Sequence, residues 1–193
     1  MLPLAYWPDE RLTKRCEPVE RMDDSLLLFI ESLKKTMREE QGIGIAAPQV
    51  GVHLRVCLVQ ERFDEEPLVL INPVVEASSK KKTWFGEGCL SFPGLFIEIA
   101  RPRWVDVAYL DLNMKRHVRR FDGLPLAVCV QHEIDHLNGI TFLDRVSRQE
   151  RRKALRTWKQ PWTEFPPPRN TQAKSDGPKA SRKKRRAGGR KKK

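Results

Sequence analysis

The stretch "PLAVCVQHEIDHLNG", residues 125–139, constrains the chain more than any other. Its apolar, β-branched run resembles a strand, yet His132 and His136 stand four apart around Glu133. On a helix, residues i and i+4 lie one above the other, so both imidazoles can reach one metal ion. The spacing therefore predicts a helix, with Pro125 at its first position and Gly139 at its C-cap. Such a helix is apolar nearly all round, which demands burial. Two imidazoles and a carboxylate in a core are costly unless something such as a metal satisfies them. Glu133 would stand beside that metal, placed to move a proton for a bound water.

A third ligand has to come from elsewhere in the chain. Cys129 lies on the same helix face, but seven residues separate it from His136, a rise of about 10 Å at 1.5 Å per residue. Ligands that bind at about 2.0–2.3 Å cannot both close on one ion from there, so Cys129 reads as a small packing residue. Cys57 alternates with apolar neighbours in an expected strand, and Cys16 precedes "EP" in a polar segment. Cys89 is set differently. It follows a glycine in "FGEGCLSFPG", a segment able to bring its backbone close to another element. As a thiolate it would complete a His2Cys set with an open fourth position for water. That donor set suits zinc, iron, nickel or cobalt. His53 and His117 read as ordinary satisfied histidines.

Around this centre the pattern is mixed α and β. Leu26, Ile30, Leu33 and Met37 in "DDSLLLFIESLKKTMREEQG" fall at helical spacing, with acids at the start and Gly42 past the end. "GIGIAAPQVG" reads as a shaped loop rather than a regular element. "HLRVCLVQ" and "PLVLINPVV" read as strands, and "RPRWVDVAYLDLNMKRHVRRF" as a hairpin turning near "DLNM". "SRQERRKALRTW" reads as a last helix. The expected fold is α+β: antiparallel sheets packed around the buried HExxH helix, with an N-terminal helix outside and a short C-terminal helix.

Residues 1–160 are expected to form one catalytic domain, 161–170 a proline-rich linker, and 171–193 a disordered basic tail. The tail carries eleven Lys/Arg and one Asp, a net of +10 out of +12, which leaves about +2 for the body. Four cysteines in 193 residues are too few for a disulfide scaffold. No run approaches the roughly 20 apolar residues of a membrane span, and the N-terminus lacks a signal-peptide pattern. A reducing, cytoplasmic setting is expected.

"GIGIAAPQVG", "EGCLSFPG" and "QHEIDH", in this order and at these separations, resemble the three motifs of the peptide deformylases, and the similarity runs from about residue 3 to 158. The resemblance implies a bacterial-type hydrolase that removes the formyl group from the N-terminal formyl-methionine of newly made proteins. It assigns metal binding to Cys89, His132 and His136, and general acid–base work to Glu133. Gln49 and the Leu90 backbone N–H would donate to the oxygen that becomes negative. Ile43, Val128 and Cys129 would wall the methionine pocket, and Gly44 would also contact substrate. Ferrous iron is the favoured ion, one per chain. Nascent formyl-Met polypeptides are the expected partners, with ribosomal RNA reached through the tail. The sequence departs from the family pattern at Phe96, where some relatives carry arginine, and at Pro125, an insertion beside the pocket.

Two other classes share features of the sequence. A metalloprotease would need a third histidine where Phe142 stands, or Glu150 or Glu164 as ligand. A nucleic-acid-binding protein with an inert core would use the tail but leave Gln49, Cys89 and Glu133 without a purpose.

Overall fold

The computed structural model describes residues 2–62 and 65–159. Helix α1 (Asp24–Glu39) begins at Asp23, whose carboxylate accepts from the Leu26 N–H at 2.8 Å. A cap of this kind contributes about 1 kcal/mol. Strands follow as β1 (Gly44–Ala46), β2 (Val56–Val59) and β3 (Leu68–Ser78). A hairpin of β4 (Lys82–Gly88) and β5 (Phe96–Pro102) comes next, then β6 (Trp104–Leu110) and β7 (Arg116–Asp122). Helices α2 (Leu126–Leu137) and α3 (Arg148–Thr157) complete the chain of elements.

The strands form a five-stranded sheet in the order β1-β2-β3-β6-β7, with the β4-β5 hairpin as a separate pair. All pairings are antiparallel. The sheet is covered on both faces. Leu26, Ile30, Leu33 and Met37 of α1 pack against Val56, Leu58, Val69 and Ile71. The alternate residues Cys57, Val59 and Leu70 meet Ala127, Cys129, Val130 and Ile134 of α2 on the other face. Burial on both faces explains why β2 is an unbroken apolar run, "VCLV". Truncating one of these leucines or isoleucines to alanine costs about 2–5 kcal/mol. A third cluster, built on Phe92, Ile99, Phe142 and Trp158, ties the hairpin to the C-terminal segment.

The fold is thus the expected α+β arrangement, with α2 buried between the sheet and the hairpin. Four local expectations change. "GIGIAAPQVG" is more regular than its composition suggests: Gly44–Ala46 pair with Val59–Cys57, and Ala47–Val50 make a 3-10 turn. Small residues allow this, because the strand runs tight against α2. A β-carbon at Gly44 would lie 2.4 Å from Glu133 Oε1 and 2.6 Å from Cys129 Sγ. Pro125 caps α2 rather than opening it, its carbonyl accepting from the Val128 and Cys129 N–H groups at 3.1 and 2.9 Å. Gly86 and Gly88, read from sequence only as part of a segment able to approach another element, belong to strand β4. Cys16, placed by sequence in a polar segment, is buried in the core, its N–H donating to the Leu137 carbonyl at 3.0 Å.

The C-cap of α2 is Asn138, and Gly139, expected at the cap, stands one residue past it. Its φ is +71°, and a β-carbon there would meet the Thr13 carbonyl oxygen at 2.5 Å. The Ile140 N–H returns to the Asp135 carbonyl at 2.9 Å, so the last turn is closed by backbone alone. Packing extends to Trp158, whose ring lies 5.6 Å from Phe92. The expected linker and tail, residues 161–193, lie outside the described residues.

Candidate metal centre

Helix α2 presents His132 and His136 on one face, their ring centroids 4.9 Å apart. Cys89 follows directly after β4, and its Sγ lies 3.3 Å from His136 Nε2. One donor atom from each of Cys89, His132 and His136 falls within 4.8 Å of the other two, and no other such group of three occurs among the described residues. The sequence brought these three residues to one point from two separate motifs, and the fold places them there. Both histidines are buried and Cys89 is half-buried.

Burial opposes a proton on His132, yet hydrogen bonds to Cys89 and Glu87 hold its pKa well above the ordinary imidazole value. Burial, with His132 and Arg101 nearby, pushes His136 well below the ordinary value and keeps it neutral, the form that ligates. Two buried polar atoms, Glu133 Oε2 and His136 Nδ1, have no hydrogen-bond partner among the described residues. A thiol, two imidazoles and an unpartnered carboxylate oxygen together fit a divalent ion with a water beside it.

Glu133 follows His132 on α2 and lies against Gly44 of β1. Burial pushes its carboxyl up to about 7, so near neutral pH it can both take and give a proton. Gln49 is oriented by the 3-10 turn. The Ala46 N–H donates to Gln49 Oε1 at 2.8 Å, which fixes the amide so that Nε2 points into the site. That Nε2 donates to Ser91 Oγ at 3.2 Å and lies 3.5 Å from Cys89 Sγ.

These groups open onto a cavity of about 570 Å³ lined by Ile43, Gly44, Leu90, Phe96, Val128 and Cys129, with Gln49, Cys89, His132 and Glu133 at its head. All four residues expected from sequence to contact substrate line it, as do Pro125 and Phe96. Cys129 is excluded from the metal group, and its thiol instead donates to the Ile43 carbonyl at 3.3 Å. Burial raises Cys16 to about 11 and Cys57 and Cys129 well above the ordinary thiol value, which marks all three as inert neutral thiols. His53 and His117 make structural contacts, to the Arg11 carbonyl at 3.1 Å and Asp111 at 2.8 Å.

The family model described as Polypeptide deformylase matches residues 1–152. The chain belongs to that family. The peptide deformylase of Brucella suis biovar 1 (strain 1330) is 40% identical over 160 residues, covering 81% of this chain and 91% of the relative. That of Saccharophagus degradans is 42% identical over 159 residues, covering 80% and 92%. Among solved structures, a peptide deformylase from Synechococcus elongatus in complex with actinonin has a TM-score of 0.76 at 42% identity. That match covers 80% of this chain and 86% of that one.

Within this deformylase-family site, one group was missed by sequence reasoning. Glu87 Oε2 lies 2.9 Å from His132 Nδ1 and also accepts from Arg101 Nη2 at 2.9 Å. Arg101 Nη1 donates to Asp135 at 2.8 Å, and Arg145 binds the same carboxylate. Burial would raise Glu87, but the hydrogen bonds from His132 and Arg101 outweigh it and keep the carboxyl below its ordinary pKa. The signal was present in "FGEGC", a carboxylate two residues before the thiol, but its partner Arg101 lies fourteen residues on.

Proposed function

We infer that Cys89, His132 and His136 together hold one divalent ion, and that around it the chain hydrolyses the formyl amide of N-formyl-methionyl peptides. The chain is a metal-dependent hydrolase of the deformylase family, removing the formyl group from newly synthesised proteins to release formate. The observation that carries the assignment of residues is the His2Cys group lying beside Glu133 and Gln49 at the head of an apolar cavity.

A bound divalent ion supplies Lewis-acid chemistry, lowering the pKa of water toward neutrality. The protein does the rest. Gln49 Nε2 and the Leu90 N–H donate to the formyl oxygen as it gains negative charge. Glu133 takes a proton from the attacking water and returns it to the methionine nitrogen as the amide bond breaks. Ile43, Val128 and Cys129 hold the methionine side chain and keep bulk water from it, and Gly44 lets the substrate lie close to β1. Ferrous iron is the ion we assign, on the family resemblance. Zinc, nickel and cobalt also suit a thiolate with two imidazoles.

The peptidase reading gains nothing from the geometry. Phe142 is buried against Phe92, and the exposed Glu150 caps α3. Glu164 lies outside the described residues.

The basic tail is assigned to ribosomal RNA phosphates, contacted without sequence preference, which would concentrate the enzyme where its substrates emerge. This reading places the protein in the cytoplasm. No helix among the described residues is long and apolar enough to cross a membrane. Truncation after Pro168 should weaken ribosome co-sedimentation at low salt and leave turnover of short peptides unchanged. Equal co-sedimentation would refute the assignment.

The catalytic reading is tested by formate release from a formyl-Met tripeptide, using the full chain loaded anaerobically with ferrous iron. Turnover should be lost on chelation, return with the metal, and be far slower on the acetyl-Met peptide, whose added methyl crowds the site. Cleavage of internal peptide bonds instead would favour a peptidase.

A further inference from the structure

We propose that Phe96 is a specificity-determining residue, an aromatic wall at the cavity mouth that selects apolar side chains immediately downstream of the formyl-methionine. The proposal rests on the deformylase reading above and goes beyond it in naming the preferred sequence of the substrate.

Exposure alone does not single out Phe96. Leu28 on α1 is as exposed, at 70% against 73%, and isolated surface apolar residues are ordinary. Position does. Phe96 pairs in register with Gly88 across the β4-β5 hairpin, so the two share a face. The ring folds over that glycine: a β-carbon on Gly88 would lie 2.6 Å from a ring carbon of Phe96. Gly88 is the residue before Cys89, and Phe96 lines the same cavity as Cys89, His132 and Glu133. An exposed aromatic surface thus begins one residue from the reacting centre.

The occupant of this surface follows from reach. With the formyl carbon at the head of the cavity and the methionine side chain against Val128, the rest of the peptide leaves through the mouth. An extended chain advances about 3.5 Å per residue. The ring therefore meets the side chain of the first or second residue after methionine. The lining sharpens the selection. Among the described residues no lysine or arginine lines the cavity, and besides Glu133 and the Arg101-paired Glu87 its one carboxylate is Glu40. An acidic side chain would find an aromatic ring and no cation to pair with, whereas an apolar one would find contact area.

The test compares kcat/KM on two sets of formyl-Met peptides, with leucine, phenylalanine or aspartate placed at each of the next two positions. The metal-loaded full chain should prefer the apolar residues at one of those positions. Phe96→Ala should lower the apolar-to-acidic ratio by about 3- to 10-fold, mainly through KM on the apolar peptides. Phe96→Leu should retain most of the ratio, and Phe96→Arg should shift it toward aspartate. Trp84→Ala is the comparison variant, because Trp84 lies on the same face of β4 but does not line the cavity. An unchanged ratio in Phe96→Ala would overturn the proposal, as would an equal fall in Trp84→Ala. A wild-type chain that deformylates none of the peptides would instead overturn the catalytic reading itself.

Discussion

Glu87 Oε2 accepts from His132 Nδ1 across 2.9 Å, leaving Nε2 as the histidine atom that faces Cys89 and His136. A carboxylate behind a ligating imidazole fixes its tautomer and raises its basicity. Arg101 holds the carboxylate in turn, Asp135 holds the arginine, and Arg145 holds Asp135. Glu87→Gln should therefore lower metal affinity by about 10–100-fold while leaving the fold intact. Competition with a chelator, read alongside the thermal midpoint, separates the two effects. Unchanged affinity would remove Glu87 from the metal centre.

In the proposed reaction Glu133 and Gln49 act on the substrate and not on the ion. Glu133→Ala should keep its metal and lose about 10²–10⁴-fold in kcat. Gln49→Leu should lose roughly 10²–10³-fold, since its amide is held by Ala46 and aimed into the site. Near-normal turnover in either metal-loaded variant would refute the corresponding role.

Gly44 separates β1 from α2 by less than a methyl group. Gly44→Ala drives a β-carbon into Glu133 Oε1 and Cys129 Sγ. The expected outcome is a chain that still binds metal, because the three ligands lie elsewhere, but turns over poorly because Glu133 is displaced. Normal kcat in this variant would show that the carboxylate can move without cost.

The helix expectations came from periodicity that the core enforces, as in Leu26, Ile30, Leu33 and Met37. For α2 the local β-branched pattern pointed the other way, and only the histidine spacing decided for a helix. Strand β4 was hidden because two of its seven positions are glycines and one is a buried glutamate. Two of these serve the site and not the strand: Gly88 lies beneath Phe96, and Glu87 holds His132. A strand whose residues are chosen for close approach and for an ion pair carries no alternating signal. Arg101 was illegible for a related reason, since its partners Glu87 and Asp135 meet it only once the hairpin is laid against α2.

Thiol chemistry offers an independent check. Burial raises Cys16 to about 11, so at pH 8 about one molecule in 10³ carries its thiolate, and Cys57 and Cys129 are buried as well. In the chelated, folded protein, alkylation at pH 8 should modify Cys89 first and the other three only after unfolding. Raising the pH toward 11 should increase the reactivity of Cys16, because a raised pKa delays its ionisation to that range. Metal should protect Cys89. Modification of Cys57 in the folded protein would contradict its complete burial in the core.

The central claim is that one ion is shared by Cys89, His132 and His136. Cobalt(II) loading tests it most directly, since a coordinated thiolate gives an intense near-ultraviolet charge-transfer band that imidazole ligands do not. The wild-type chain and the Cys16→Ser, Cys57→Ser and Cys129→Ser variants should all show the band at one cobalt per chain, and Cys89→Ser should lose it. A band retained in Cys89→Ser, or lost in a folded Cys57→Ser, would contradict the account.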